Sequence, residues 1–306
     1  MNTATLPEGF CFFERGWLSS NSLLVQNEHH AAVFDTGYTS HAPQLIQLLQ
    51  KELNGKALDL IVNSHLHSDH CGGNSLLQSV FPQVDIQIPT RQFNDVLCWD
   101  DSLLTYEVTG QSCSPFTPTL HLRDGDLIET GGVCWQVFAA PGHDNDEFIF
   151  LQPDFNILLS ADALWENGLG VVFPEFLGGI GFENVAKTLD LIQSLNPMLV
   201  LPGHGSYFSD IDSSLSQTRR KLDLFSKSAD AHALYSAKVL LKFKLLEIQK
   251  ISINDFVNWA LNIQMLGMIH SHFFSVFNKK LWIENLIQEL VSRGAAEMHG
   301  NYLYNR

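Results

Sequence analysis

Residues 58–73 read Leu58-Asp59-Leu60-Ile61-Val62-Asn63-Ser64-His65-Leu66-His67-Ser68-Asp69-His70-Cys71-Gly72-Gly73. The opening stretch, Leu58–Asn63, is a largely apolar run that predicts a buried strand, so the residues after it are presented at a strand's C-terminal end. In extended chain, residues i and i+2 point the same way, and His65 and His67 can reach one cation together. A turn into helix near Ser68 carries Asp69 and His70 to a different side, where they can reach a second cation. Gly72 and Gly73 let backbone pack closely where a side chain would obstruct. Three imidazoles and a carboxylate within six residues match the nitrogen and oxygen donors that zinc prefers. Thirteen histidines in 306 residues make any single one unremarkable. Four potential ligands in HxHxDH order behind a buried strand are much harder to obtain by chance.

Upstream, Phe10–Trp17, Ser22–Gln26 and Ala31–Asp35 are short apolar-rich runs punctuated by Gly, Asn and Ser, as in an antiparallel meander. His41–Leu53 carries Leu45, Leu48, Leu49 and Leu53 at helical spacing and stops at Asn54-Gly55. Downstream of a more irregular stretch, Val133–Ala139, Phe148–Gln152 and Asn156–Ser160 read as strands, the last two joined by a turn at Pro153–Asn156. Phe182–Leu195 is helical by the spacing of Val185, Leu189, Ile192 and Leu195, and Met198–Leu201 is a strand ending at Pro202. Alternating strands and helices imply a mixed α/β layered domain over residues 1–213. From about Ser214 strand signals vanish. Gln217–Gln249, Ile253–His270 and Trp282–Arg293 read as helices, and Arg293 to Tyr304 has the helix-then-hairpin outline of a winged-helix ending. Residues 214–306 are therefore expected to form a mostly helical C-terminal region.

Composition excludes several classes. Hydrophobic residues make up 45% and charged residues 17%, a globular mix. No stretch reaches the ~18 consecutive apolar residues of a membrane-spanning helix, and Met1–Gly16 lacks the pattern of a secretory signal. Five cysteines, Cys11, Cys71, Cys98, Cys113 and Cys134, are odd in number, widely spaced and without a CxxC pair. That argues against a disulfide framework and makes the cytoplasm the expected location. Charge is distributed unevenly: residues 1–215 hold six Lys+Arg against 26 Asp+Glu, net −20, whereas residues 216–306 hold 12 against seven, net +5. An acidic body repels nucleic-acid phosphates.

The HxHxDH segment resembles that of the metallo-β-lactamase-fold hydrolases, and further motifs resemble that family's in order. Asp35 in Phe34-Asp35-Thr36-Gly37 matches an Asp that supports the metal loop without binding metal. His143 in Ala140-Pro141-Gly142-His143 matches the third histidine, Asp162 in Ser160-Ala161-Asp162 the bridging aspartate, and His204 in Pro202-Gly203-His204-Gly205 the last histidine. The resemblance implies a four-layer αβ/βα sandwich. It also implies that His65, His67 and His143 hold one ion and that Asp69, His70 and His204 hold another, with Asp162 between them. Two divalent ions are implied, zinc first, with iron or manganese as occupants of related sites. Asp69 and Asp162 would take the catalytic roles around a hydroxide shared by the two ions. An aspartate at position 162 is similar to the glyoxalase II, lactonase and RNase Z-like branches rather than to the antibiotic-hydrolysing enzymes.

The expected function is hydrolysis of a small ester, thioester or lactone. The partner is then a small-molecule acyl substrate, with no membrane, and a homodimer through the C-terminal helices is one possible assembly. Two other readings stay open. One is a nuclease or phosphodiesterase whose basic C-terminal region contacts RNA, against which the −20 body weighs; the other is a metal-stabilised regulator. Cys71 reads as structural. Trp165, Glu166 and Asn167 are candidates to line a pocket. His270 and His272, beside Met265, Met268, Phe273 and Phe274, read as a core stripe or as the wall of a helical cap.

Overall fold

The structure is a computed structural model and describes residues 5–100 and 103–306. Its strands are β1 (Phe10–Phe13), β2 (Ser22–Gln26), β3 (Ala31–Phe34), β4 (Leu60–Val62), β5 (Asp85–Pro89), β6 (Leu120–Leu122), β7 (Leu127–Thr130), β8 (Val133–Ala139), β9 (Phe148–Gln152), β10 (Ile157–Ala161), β11 (Leu199–Pro202), β12 (Lys250–Ser252), β13 (Ala296–His299) and β14 (Tyr302–Asn305). Its helices are α1 (Ala42–Leu53), α2 (Ser68–Cys71), α3 (Asn74–Val80), α4 (Phe93–Cys98), α5 (Tyr106–Thr109), α6 (Gly181–Leu195), α7 (Ile211–Lys227), α8 (Ala229–Ile248), α9 (Ile253–Asn262), α10 (Gln264–Phe273) and α11 (Lys279–Ser292). Two compact units result, residues up to 104 with 113–222, and residues 105–112 with 223–306.

The first unit is built on two sheets, in the orders β1-β2-β3-β4-β5-β6 and β11-β10-β9-β8-β7. Alternate residues of the first sheet, Leu23, Val25, Ala32, Phe34, Leu60 and Val62, meet Trp135, Val137, Phe150, Leu159 and Leu201 of the second in one buried cluster. The outer face of the second sheet, through Ile149, Leu151, Leu158 and Val200, packs on Val185, Leu189 and Ile192 of α6 and Leu215 of α7. On the outer face of the first sheet Leu24, Val33 and Ile61 are equally buried. There Gln26 donates from Nε2 to the Glu52 carbonyl of α1, whose Leu45, Leu49 and Leu53 are buried. Helix, sheet, sheet and helix give the four layers. Asn54 stops α1 in a left-handed conformation at φ 48°, which an asparagine accepts at little cost.

The parallel pairs position the chemistry. β3 pairs β4 in parallel across α1, and β10 pairs β11 in parallel across α6. A parallel crossover returns the chain to the same end of the sheet. The segments after β3 and β4 therefore emerge side by side, as do those after β10 and β11, and the packing of the two sheets brings Asp35, His65–His70, Asp162 and His204 to one edge.

In the second unit α8, β12, α9, α10 and α11 lead into a hairpin of β13 and β14, with β12 pairing β14 in a three-stranded antiparallel sheet. The helix-then-hairpin ending is present. Several elements differ from the sequence reading. The strand expected over Phe10–Trp17 ends at Phe13, because β1 pairs only Ser22–Val25 and a turn from Gly16 to Ser19 follows. The helix expected over Gln217–Gln249 breaks at Ser228, whose side chain caps α8 by accepting from the Ala231 amide. Ile253–His270 breaks at Ile263, which is extended at ψ 123°. The excursion of residues 105–112 into the second unit left no trace in composition.

Candidate metal centre

β4 ends at Val62 and α2 begins at Ser68. His65 lies in a bend and His67 in extended chain at ψ 149°, while Asp69 and His70 lie on the first turn of a helix, so the extended chain expected to carry both histidines holds only at His67. This short helix is anchored from behind. The His70 carbonyl accepts from the Thr36 hydroxyl and from Asn63 Nδ2, and Asn74 Nδ2 in turn donates to Asn63 Oδ1. A Cβ on Gly73 would stand 2.4 Å from the Thr36 carbonyl oxygen, so only glycine lets these segments close up.

His65 Nε2 lies 3.0 Å from His67 Nδ1, which lies 2.8 Å from His143 Nε2. All three rings have their other nitrogen engaged: His143 Nδ1 donates to the Val171 carbonyl at 2.6 Å, His67 Nε2 faces Asp144 at 3.4 Å, and His65 Nδ1 lies 3.1 Å from the Ser64 hydroxyl. Burial drives His67 and His143 each down to about 4, and pushes His65 well below the ordinary imidazole range. Three neutral rings therefore aim lone pairs at one another, an arrangement that a cation between them satisfies.

A second group, Asp69, His70 and His204, converges beside the first. Asp69 Oδ2 and His204 Nε2 are 3.1 Å apart. His70 is oriented from behind by Asp35, its Nδ1 donating to Oδ2 at 2.8 Å, and its buried Nε2 has no hydrogen-bond partner. Burial opposes a charge on His70, but the Asp35 and Asp162 carboxylates overcome it and raise the ring well above its usual range. Asp162 faces both groups. Its Oδ1 lies 3.4 Å from His70 Nε2 and 3.8 Å from His204 Nε2, and its Oδ2 lies 3.3 Å from His143 Nε2. Burial would raise the Asp162 carboxyl, yet the His204 and His70 rings hold it well below the carboxylate range. Within these clusters, His65, His67 and His143 lie within reach of one ion, Asp69, His70 and His204 of another, and His65, His70 and Asp162 also converge. An orphaned buried ring nitrogen amid imidazole and carboxylate donors fits divalent cations.

Residues 15–204 match the family described as the Metallo-beta-lactamase superfamily. The chain belongs to that superfamily. With its clustered His and Asp donors, it is a metal-dependent hydrolase of the metallo-beta-lactamase fold. It is 25% identical over 206 residues to a hydroxyacylglutathione hydrolase of Francisella tularensis subsp. novicida, covering 65% of this chain and 70% of that one. It is 24% identical over 215 residues to an atrochrysone carboxyl ACP thioesterase of Aspergillus fumigatus, covering 70% of this chain and 43% of that one. Among solved structures, a metallo-beta-lactamase family protein of Thermus thermophilus aligns over 99% of this chain and 100% of its own. Its TM-score is 0.58 and its identity 18%, a likeness of fold.

Further residues of this superfamily member surround these clustered donors, several of them not expected from sequence. Trp17, 56% exposed, stacks on the His204 ring at 5.5 Å and 7°. Trp165 stands edge-on to both at 5.4 Å and donates from Nε1 to Asp162 Oδ1 at 3.1 Å. Phe173 meets His67 and His143 edge-on. Of the three pocket candidates, Trp165 is at the site, while Glu166 and Asn167 are exposed and hydrogen-bond to each other. Glu147 lies behind Asp162, accepting its backbone N–H at 2.7 Å, and burial followed by the Asp162 charge raises it well above the carboxylate range. Asp144 directly follows His143, and a carboxylate beside a candidate ligand histidine is the one sequence signal that could have singled it out. Cys71 is buried against the Leu66 and His67 carbonyls. His270 and His272 pair with the Phe277 and Met268 carbonyls inside the second unit.

Proposed function

We propose that this hydrolase holds two divalent ions, zinc by the chemistry of the donors, and cleaves a small ester, thioester or lactone. His65, His67 and His143 would hold one ion, and Asp69, His70 and His204 the other, with Asp162 shared. The observation that carries this reading is Asp162, whose two oxygens face nitrogens of both groups, with the buried His70 Nε2 held 3.4 Å from it and making no hydrogen bond. Two divalent ions bound there supply a water acidified for attack and a Lewis acid for the substrate carbonyl. The chain's own residues do the rest. Asp69 and Asp162 are both held below the ordinary carboxylate range and stay ionised at neutral pH, so they accept hydrogen bonds from an attacking water and orient it. Asp35, Asp144 and the Val171 carbonyl fix which nitrogen His70, His67 and His143 present. Trp17, Trp165 and Phe173 supply an apolar wall for an acyl group and limit stray water. The two relatives, a hydroxyacylglutathione hydrolase and an ACP thioesterase by name, favour a thioester among the three substrate classes.

RNA is the less favoured partner. In the second unit Lys238, Lys244 and Arg306 pair with Glu289, Glu247 and Glu297, which reduces the charge offered to phosphates. The test is elemental analysis followed by a panel of acyl-thioesters, lactones, p-nitrophenyl esters and phosphodiesters. The expected result is about two ions per chain and acyl turnover that disappears in Asp162→Ala. Unchanged turnover in that variant would overturn the site, and preferred phosphodiester cleavage would replace the acyl reading with the nuclease one.

A further inference from the structure

Cys71 and Cys113 are 42 positions apart in sequence, and their sulfurs lie 3.8 Å from each other. Neither is in a disulfide, and both belong to the first unit. Cys71 is the last residue of α2, directly after His70. Its buried Sγ lies 3.4 Å from the His67 carbonyl oxygen and 3.6 Å from that of Leu66, so the thiol braces the loop that carries His65, His67, Asp69 and His70. Cys113 is half-buried and stands where the chain re-enters the first unit after residues 105–112, in a stretch without helix or strand. A buried sulfur on the metal loop thus faces a more accessible one on an irregular segment.

We propose that Cys71 and Cys113 form a reversible disulfide that acts as a redox modification site on the metal loop. This rests on the reading of that loop as metal-binding, and it concerns the retention of metal rather than the identity of the substrate. The oxidant is a small-molecule disulfide such as oxidised glutathione. The Cys113 thiolate attacks one sulfur of that disulfide and releases one glutathione thiol. The Cys71 sulfur then attacks Cys113 in the mixed disulfide and releases the second. Two cysteine thiols are oxidised, one disulfide is reduced, and the two thiol protons end on the two glutathiones. An S–S bond is about 2.05 Å long, so the sulfurs must close by about 1.8 Å. Irregular chain at Cys113 can supply part of that movement. The remainder draws Cys71 off the Leu66 and His67 carbonyls and shifts the turn on which Asp69 and His70 stand.

The experiment uses the full chain loaded with zinc, incubated with oxidised glutathione and then read in two ways. Intact mass and peptide mapping should show loss of the two thiol hydrogens and a peptide joining Cys71 to Cys113. Zinc release into a chromogenic chelator should speed up about tenfold, return to its original rate with dithiothreitol, and stay slow in Cys113→Ser. Glutathione retained on Cys113 without a cross-link overturns the proposal. So does a cross-link that leaves zinc release unchanged, or accelerated release in Cys113→Ser. Mass and metal release are independent of turnover, so a failed substrate screen leaves this test standing, while a chain that binds no zinc at the outset overturns the metal-centre reading instead.

Discussion

Asp35 accepts from His70, Oδ2 to Nδ1, at 2.8 Å across 35 positions of sequence, and the same carboxylate accepts the Ser64 N–H and hydroxyl. One side chain at the end of β3 thereby sets both the path of the chain leaving β4 and the ring nitrogen that His70 turns toward Asp162. The relationship exists because β3 and β4 run parallel and finish side by side.

Asp35→Asn tests that role. Asparagine tolerates the left-handed φ of 55° found here, so the fold should persist by circular dichroism. The amide offers a weaker, neutral acceptor to His70, and zinc affinity measured by chelator competition should fall about 10- to 100-fold. Wild-type affinity in this variant would mean that Asp35 is a folding residue alone.

Stability of the metal-free protein should fall on acidification from about pH 6.5 toward about pH 4. His65, His67 and His143 are depressed by burial, the latter two to about 4, so in this window the unfolded chain binds protons that the folded chain refuses. Each ring contributes up to about 1.4 kcal/mol per pH unit. Glu147, Asp144 and Asp146 are raised by burial and act in the opposite sense, as does His70 near the upper end of the window, where the folded ring keeps a proton that the unfolded ring begins to lose. The expected outcome is that the three rings outweigh the raised carboxyls, so that stability rises with pH across this window. Urea midpoints at several pH values check it, and Glu147→Gln should steepen the dependence.

Gly203→Ala should damage the centre from behind. A Cβ at that position would stand 2.3 Å from Asp162 Oδ1 and 3.0 Å from the Ala161 carbonyl oxygen. Backbone there cannot retreat, because the Gly203 amide bonds Ala161 and its carbonyl accepts from Asn21. Overpacking costs about 1–3 kcal/mol, to be read from urea midpoints. The second metal equivalent in elemental analysis should be lost, and retention of both at wild-type stability would contradict the close packing.

Trp17→Ala removes the exposed ring that stacks on His204. If that ring receives the acyl group, KM should rise about three- to tenfold, the worth of one aromatic contact, with kcat changed far less. A kcat loss at constant KM would instead place Trp17 in the support of His204.

The local signals in the chain were strong where period and motif coincide. The run before Asn63 had to be a buried strand, and the HxHxDH order brought His65 and His67 into view, although a bend at His65 rather than the two-residue repeat of extended chain sets how their rings meet. Helices α1 and α6 were readable from their apolar stripes over 12 and 15 residues. The short elements between residues 74 and 130 were not, since three to seven residues hold too little of either period to separate helix from strand. Ser228 and Ile263 broke two expected helices because an apolar stripe continues across a cap that only backbone geometry creates.

By itself the sequence determined the donor set: which imidazoles and carboxylates follow which strands, and hence that cations are the chemistry to look for. Only the tertiary structure decided that Asp162 faces both groups of candidate donors, that Trp17 covers His204, that Asp144 and Glu147 stand behind His67 and Asp162, and that Cys113 meets Cys71. The physical reason is range. Periodicity reports contacts between neighbours along the chain, whereas these contacts depend on strand register and on the packing of two sheets, through residue types that occur throughout any acidic, aromatic-rich protein.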